Sequence, residues 1–415
     1  MAILEKTHEH PKRLFWTLLG PGLLAMIGDN DAGGVISYAV TGVTFGFGWF
    51  SLLILALLPV VYVIQEMTMR LGMVSQKSFP TLVFEHFGAF WGNFSLTTLL
   101  ILNLLTLMTE FIGMSIGLST LGIPFISSVF LSLLATITFA VLSRYVTKER
   151  LALLVGALNL VFIVIAILVH PNAHTIKQAF SLHGMLASSA NTWLFFLLAT
   201  IGNAVAPWMI FFQGSAVIDK GMTQQDVRLG RLDTLLGVIA QAVIAIAILI
   251  AGSALHDLAL RQSTVITSPI ALLAGYGQLY GNVVRDLFAF GLINAGFLAA
   301  ITISLSTSWA FSDGWRFHHQ HRIFHLVYLG GLVLAAILIL IPHLPLTALA
   351  VSAQAMAGLF IIPLLFFLRK LTGDVTVMGQ YVNKKKGMRA ATCVIILVIA
   401  VNLLLIFHTI LSFSF

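Results

Sequence analysis

Gly28-Asp29-Asn30-Asp31-Ala32-Gly33-Gly34 interrupts an apolar run that extends from Leu18 to Val43. The run is long enough to cross a bilayer as helix. A charge at bilayer depth costs from about 2.5 kcal/mol per residue on insertion scales to far more in simulation. Each of the three glycines weakens a helix by roughly 1 kcal/mol relative to alanine. A chain that accepts both costs within seven residues is unwinding a helix there, exposing carboxylates and backbone carbonyls. Carboxylate and carbonyl oxygens are what a hard cation binds.

The rest of the chain sets that break in a membrane. Of 415 residues, 59% are hydrophobic and only 9% charged, with a mean hydropathy of +1.01; soluble domains carry about 25% charged residues. Eleven windows read as spans: 16–43, 49–72, 94–122, 124–143, 150–169, 193–219, 232–254, 283–312, 325–342, 346–370 and 391–414. No cleavable signal peptide is expected, because the N-terminus is polar up to Arg13 and no small-residue cleavage site follows a short apolar core. The single cysteine, Cys393, excludes an intramolecular disulfide framework and a cysteine metal cluster; it reads as a lipid- or packing-facing residue.

The formal charge of +7 reads as a topology signal, and no nucleic-acid partner is expected. With the N-terminus placed in the cytoplasm, the outer side holds only Lys177, Arg261 and Arg285, and the cytoplasmic segments hold the other nineteen of 22 lysines and arginines. This bias predicts a multi-pass cell-membrane protein with a cytoplasmic N-terminus and, after eleven spans, an outer C-terminus.

A second span is interrupted, at Gly202-Asn203-Ala204-Val205-Ala206-Pro207-Trp208. Proline removes a helical hydrogen bond and clashes one turn back. Spans one and six are thus both broken near their middles, five spans apart, which points to an inverted-repeat transporter with its site at mid-membrane. The expected organisation is one transmembrane domain over 1–415, with repeat one about 14–170, repeat two about 190–370 and an extra helix at 391–414. The links 70–93, 170–192, 255–282 and 371–390 are too short for a soluble module. The tract Arg316-Phe317-His318-His319-Gln320-His321-Arg322 reads either as a metal-collecting loop or as a polar link between spans.

Asp31 is the first choice of ligand, beside two glycines that free carbonyls. Asp29 points elsewhere in a regular helix but could share the site in an unwound turn; a hydrogen-bonded residue within the bundle is the other reading. Asn30 and Asn203 offer neutral oxygens, and the carbonyls of 203–206, including Ala204 and Ala206, end the first half of span six. Oxygen-only surroundings suit Mg²⁺, Ca²⁺ or Mn²⁺. Glu110 is either a proton-relay carboxylate or a protonated residue bonded between helices. Glu66 reads as a local ion pair with Arg70, Asp219 and Asp233 as residues that flank or cap helices, and His408 as a packing residue. Trp16, Trp49, Trp91, Trp193 and Trp309 read as interface anchors.

Gly20-Pro21-Gly22, Asp31-Ala32-Gly33-Gly34, Gly42 and Phe45-Gly46 resemble the first span of the natural resistance-associated macrophage protein (Nramp) family of divalent-metal transporters, which has Gly-Pro-Gly and then Asp-Pro-Gly-Asn at the same spacing. Glu110-Phe111-Ile112-Gly113 resembles the family's Glu-Val-Ile-Gly, Ala206-Pro207-Trp208 falls where it has Met-Pro-His, and Gly291 to Ser306 resembles its eighth span. The resemblance runs over most of the chain. It implies an all-α polytopic protein of the LeuT-type 5+5 inverted-repeat fold, with discontinuous helices 1 and 6 and alternating access. It also adds Gln354 to the candidate ligands.

The departures from the family point to a different cargo. Gly34 stands for the motif's asparagine, Ala206 for a methionine ligand, Trp208 and Gln213 for histidines, and Leu107 for a third-span aspartate; span nine has no arginine. A thioether favours softer transition metals, and Mg²⁺ dehydrates reluctantly, so a roomier, oxygen-only site suits a partly hydrated ion. The pattern resembles the Nramp-related magnesium transporter branch. Mg²⁺, with Mn²⁺ also admitted, is expected to be carried as substrate, without a resident cofactor and without proton coupling, along a path that Glu110, Gln213 and Trp208 could line. A proton-coupled Mn²⁺/Fe²⁺ symporter and a cation-coupled amine or amino-acid symporter of the same fold are the alternatives. A metal sensor is disfavoured because no soluble output domain is present. An enzyme is not expected: there is no helical His-Glu-x-x-His motif and no nucleophile motif.

Overall fold

Open backbone and charge cannot be left to lipid, so a polar break at mid-span must be enclosed by other helices. The computed structural model describes residues 20–142, 145–170, 180, 190–262, 268–317 and 322–413, and among them every regular element is helical. Eight helices are long and apolar enough to cross a membrane, and Ala32–Phe45, Phe125–Ala140 and Arg322–Leu338 are shorter apolar helices. The histidines of 318–321 and Trp16 lie outside the described residues, as does the side chain of His408.

The first span consists of α1 (Pro21–Gly28) and α2 (Ala32–Phe45). The second is α3 (Gly48–Ser75); a short α4 (Phe79–Phe87) precedes α5 (Ala89–Thr120), the third, and α6 (Phe125–Leu142) is the fourth. The fifth runs through α7 (Tyr145–Ala157), a 3-10 turn at Leu158–Leu160 and α8 (Val161–Val169). The sixth is again two helices, α9 (Ala190–Ala204) and α10 (Pro207–Asp219). The seventh is α11 (Val227–Ser253); short helices α12 (His256–Gln262) and α13 (Pro269–Tyr280) lead to the eighth, α14 (Asn282–Gly314). Then follow α15 (Arg322–Leu338), α16 (Leu346–Thr372), the single turn α17 (Val375–Met378) and α18 (Lys385–Phe413).

Both breaks are tight. Asp29 closes α1, its N–H donating to Ala25 O at 3.1 Å, and Asn30 N–H reaches Ile27 O at 3.3 Å. Asp31 then turns extended (φ −73°, ψ 169°) and becomes the N-cap of α2. In the sixth span Ala206 is the extended residue (φ −76°, ψ 139°). Pro207 is not inside a helix: it opens α10, where its missing N–H costs nothing. Pro59 and Pro363, by contrast, lie inside continuous helices, so proline alone does not mark a break.

Helices α1, α2, α3, α10 and α11, from spans one, two, six and seven, pack together, and α5, α6, α14 and α15 form a second group. The pairing is pseudo-symmetric: α8 of span five packs on spans seven and eight, and α16 of span ten packs on spans two and three. Backbones meet closely where small residues allow it. A Cβ on Gly42 would stand 2.2 Å from the Leu249 carbonyl oxygen, and one on Gly252 would stand 2.1 Å from that of Ala39. Asn294 donates to Asn159 Oδ1 at 2.6 Å and to Val155 O at 3.0 Å, tying span eight to the 3-10 turn of span five.

Asp233 does cap a helix, though not its own. From α11 its carboxylate accepts the N–H groups of Gly20 (2.8 Å), Gly22 (2.7 Å) and Leu23 (3.1 Å) at the start of α1. A Cβ on Gly20 or Gly22 would stand 2.7 or 2.8 Å from its Oδ2, so Gly20-Pro21-Gly22 leaves room for the carboxylate. Two tryptophans read as interface anchors, Trp49 and Trp91, are 37% and 43% exposed. Trp309 corrects that reading: it is 3% exposed and packs at a tilt against Phe212 between α14 and α10. Cys393 is exposed on the outer helix α18. Asp233→Ala should lower the thermal unfolding temperature in detergent, because it strands first-turn donors at a cost of about 1–3 kcal/mol. Asp233→Asn, which keeps an acceptor, should lie between the two.

Candidate metal site

The first-turn N–H groups of α2 decide the geometry, since a helix N-terminus attracts negative charge. Asp31 Oδ1 accepts from Gly34 N–H at 2.5 Å. Glu110, reaching across from α5, accepts from Ala32 N–H at 2.8 Å, and its other oxygen lies 3.1 Å from the Thr109 hydroxyl. Glu110 therefore serves α2 as a second cap. Gln354 of α16 donates to both Asp31 oxygens, at 3.2 and 3.4 Å. Its placement is fixed by Gly202, where a Cβ would overlap the Gln354 carbonyl at 1.8 Å.

Asn203 comes in from the other break. It is 2% exposed, and neither its Oδ1 nor its Nδ2 has a hydrogen-bond partner. The position of a side chain at residue 34 shows how these groups converge. A Cβ there would lie 3.0 Å from Asp31 Oδ1, 3.3 Å from Asn203 Oδ1 and 3.6 Å from the Asp29 carbonyl oxygen. Three oxygens thus converge on one point, two of them closer than a side chain at residue 34 would ordinarily tolerate. Among the described residues no three His, Cys, Asp or Glu side chains form a metal-binding group, so any cation here relies on amide and carbonyl oxygens beside a carboxylate.

The two aspartates face different neighbours. Asp29 Oδ2 accepts from Gln241 Nε2 of α11, while its Oδ1 is buried without a partner. Gln241 Nε2 also donates to Ala204 O at 3.1 Å, and Gln241 O accepts from Asn30 Nδ2 at 3.2 Å. One glutamine thus links Asp29, Asn30 and Ala204, and with them both broken spans. The sequence reading passed over it; the signal was a glutamine alone at the centre of the apolar seventh span. Ala206 caps α10 without a side-chain bond. Trp208 is 1% exposed and meets Phe212 edge to face, with ring centroids 5.8 Å apart. Gln213 donates to Thr234 Oγ1 at 2.9 Å and leaves its Oε1 unpartnered.

The expected Glu66–Arg70 pair is present at 2.9 Å, but it is more than local. Glu66 also holds Arg231 of α11 at 2.8 Å, and Arg70 donates to Asn383 Oδ1 at 2.5 Å and to the Tyr381 carbonyl. Gln241→Leu should lower thermal stability by about 1–3 kcal/mol, since it leaves the Asp29 carboxylate buried without its donor. Part of that loss should return in the Asp29→Leu/Gln241→Leu double variant, read as a double-mutant cycle.

Comparison with known proteins accords with this fold. The Eremococcus coleocola manganese transporter, solved with an aromatic bis-isothiourea substituted compound, shares 20% identity and superposes with a TM-score of 0.76, covering 95% of this chain and 87% of its own. MhsT in complex with L-phenylalanine shares 14% identity with a TM-score of 0.61, covering 93% of this chain and 97% of its own. A substrate-bound, outward-open Na⁺-coupled sialic acid symporter shares 15% with a TM-score of 0.56, covering 94% and 89%. These likenesses show the LeuT-type inverted-repeat fold. Residues 22–408 match the natural resistance-associated macrophage protein-like family, and the chain belongs to that family of divalent-metal transporters.

Proposed function

We propose that this chain imports Mg²⁺, and with it Mn²⁺, across the cell membrane by alternating access and without proton coupling. The observation that carries this reading is the convergence at Gly34 of oxygens from Asp31, Asn203 and the Asp29 backbone. An oxygen-lined space with neither thioether nor imidazole suits a hard ion that keeps some of its water. Asp31 is the central ligand, with Asn203, Gln354 and the carbonyls beside the two breaks around it. Asp29, Asn30 and Ala204 serve through their link to Gln241, and Gly34 and Ala206 through the space they leave. Gln213 and Trp208 border the inward path. The repeats run over about 14–170 and 190–370, with the N-terminus in the cytoplasm.

Packing around span three supports the uncoupled reading. Leu107 Cδ1 lies 3.4 Å from where a Cβ on Gly331 would stand. Both line a groove of about 430 Å³ between α5, α14 and α15 with no titratable residue in its lining. Glu110, the remaining acid of span three, is engaged by the N-terminus of α2. Uptake is then driven by the ion gradient and the membrane potential, which supplies about 2.3 kcal/mol per charge per 100 mV. The competing reading, a proton-coupled Mn²⁺/Fe²⁺ symporter, is favoured by the likeness to the Eremococcus coleocola manganese transporter.

Proteoliposomes separate the two. Mg²⁺ influx without acidification of the lumen is expected, and it should disappear in Asp31→Ala. Acidification that tracks Mn²⁺ uptake, or flux intact in Asp31→Ala, would overturn the reading. Gly34→Asn combined with Ala206→Met should shift competition between the ions toward Mn²⁺, measured as the Mg²⁺ concentration that halves Mn²⁺ uptake.

A further inference from the structure

Transport as read above gives no role to Lys384-Lys385-Lys386 and Arg389. No acidic residue follows Asp374, so the segment that carries these four charges holds no counterion. It leads into α18, beside a cavity of about 310 Å³ between α3, α11 and α18. Tyr62 and Glu66 of α3, Arg231 of α11, and Asn383, Gly387 and Ala390 around the start of α18 line the cavity. Small-molecule sites begin at about 300 Å³. The short side chains at 387 and 390 leave this space where α18, which packs mainly on α16 and α9, passes α3.

The charge of the lining is positive. Glu66, its one acid, is held by Arg70 at 2.9 and 3.0 Å and by Arg231 at 2.8 Å, so one carboxylate lies between two guanidiniums. Arg70 is fully engaged, since it also donates to Asn383 Oδ1 and the Tyr381 carbonyl. Arg231 is not. It meets Glu66 through Nε alone, its side chain is 49% exposed, and among the described residues its two Nη groups have no further partner. Two such N–H groups on one guanidinium match a phosphate. Lys384 and Arg389, the immediate neighbours of Asn383 and Ala390, are exposed and form no ion pair among the described residues. Exposed apolar side chains begin directly beyond these cations: Leu232 next to Arg231 on α11, and Ile396 two turns past Arg389 on α18. Tyrosine, here Tyr62, is favoured at the same boundary. The cavity thus lies at headgroup depth, with cations on one side and lipid-facing surface on the other.

We propose that this cavity binds the headgroup of one anionic phospholipid, its phosphate held by Arg231 with Lys384 and Arg389 and its acyl chains lying along the exposed apolar faces of α11 and α18. Lysine and arginine clustered beside a span attract anionic lipid; the cavity adds a defined place for a single molecule. Bound there, the lipid joins α18 to α3 and α11. The site does not depend on which ion is carried.

The test is native mass spectrometry of the full-length protein, delipidated in non-ionic detergent and titrated with phosphatidylglycerol or phosphatidylcholine. One phosphatidylglycerol should bind ahead of the rest, and phosphatidylcholine should show no such preference. Arg231→Gln should weaken that first event about fivefold, the effect of one basic residue near an anionic surface. Lys384→Gln/Arg389→Gln, which breaks no existing side-chain bond, should weaken it at least as much. Ala390→Phe, which fills the cavity and keeps every charge, should abolish it. Arg322→Gln, which removes an exposed charge at the start of α15, should leave it unchanged. Equal binding of the two lipids, equal loss in Arg322→Gln, or a first event that survives Ala390→Phe or both charge-removing variants overturns the proposal. Saturation by inorganic phosphate with no phosphatidylglycerol event also overturns it, since the ligand is then a soluble anion.

Discussion

A helix that stops in the middle of a membrane leaves several N–H groups at one end and several carbonyls at the other, with no water to receive them. The two breaks create four such ends, and much of the surrounding sequence answers them. Asp31 and Glu110 take the first donors of α2. Gln241 reaches both broken spans, through Asp29 and Ala204. Pro207 begins α10 with one donor fewer to satisfy. The N-terminal end of α1, away from the break, is closed by the Asp233 carboxylate. Acids that look expensive when counted singly are, in place, acceptors for backbone that the break has opened.

The breaks themselves were legible because glycine, proline and acid in an apolar run have local causes. Asp29–Asp31 and Val205–Ala206 are where the chain turns, and Asp31, Asn203, Gly34 and Gln354 come together around one point. What satisfies the breaks was less legible. The Asp233 carboxylate lies 211 residues from the Gly22 N–H it receives, and Glu110 lies 78 from Ala32. Sequence pattern gives the depth of a polar residue but not the span it will face. The same limit applies to Trp309, whose place near a span end resembled an anchor until α10 was found packed against it. Close packing of Gly42 on the Leu249 carbonyl likewise has no local signature.

The site differs from its surroundings in what it lacks. Most buried polar groups near the breaks are bonded, yet Asn203 has neither amide atom engaged, and Asn30 Oδ1 and Asp29 Oδ1 are also unpartnered. These atoms lie beside Asp31 in sequence or in space. Unpaired oxygen in low dielectric is costly unless a ligand arrives to use it. Several such atoms lie at the two breaks, where glycine at 34 withholds a side chain.

Both aspartates also have structural work, and this bears on how binding connects to movement. Asp31 accepts from Gly34 in its own helix and from Gln354 in α16. The same carboxylate thus joins α2 to span ten through Gln354. Asp29 stands in the same relation to Gln241 and the seventh span. A ligand shifts a conformational equilibrium only through contacts that differ between its states. Here those contacts are the hydrogen bonds of Asp31 to Gly34 and Gln354 and of Asp29 to Gln241, which any ligand of these carboxylates must share or displace.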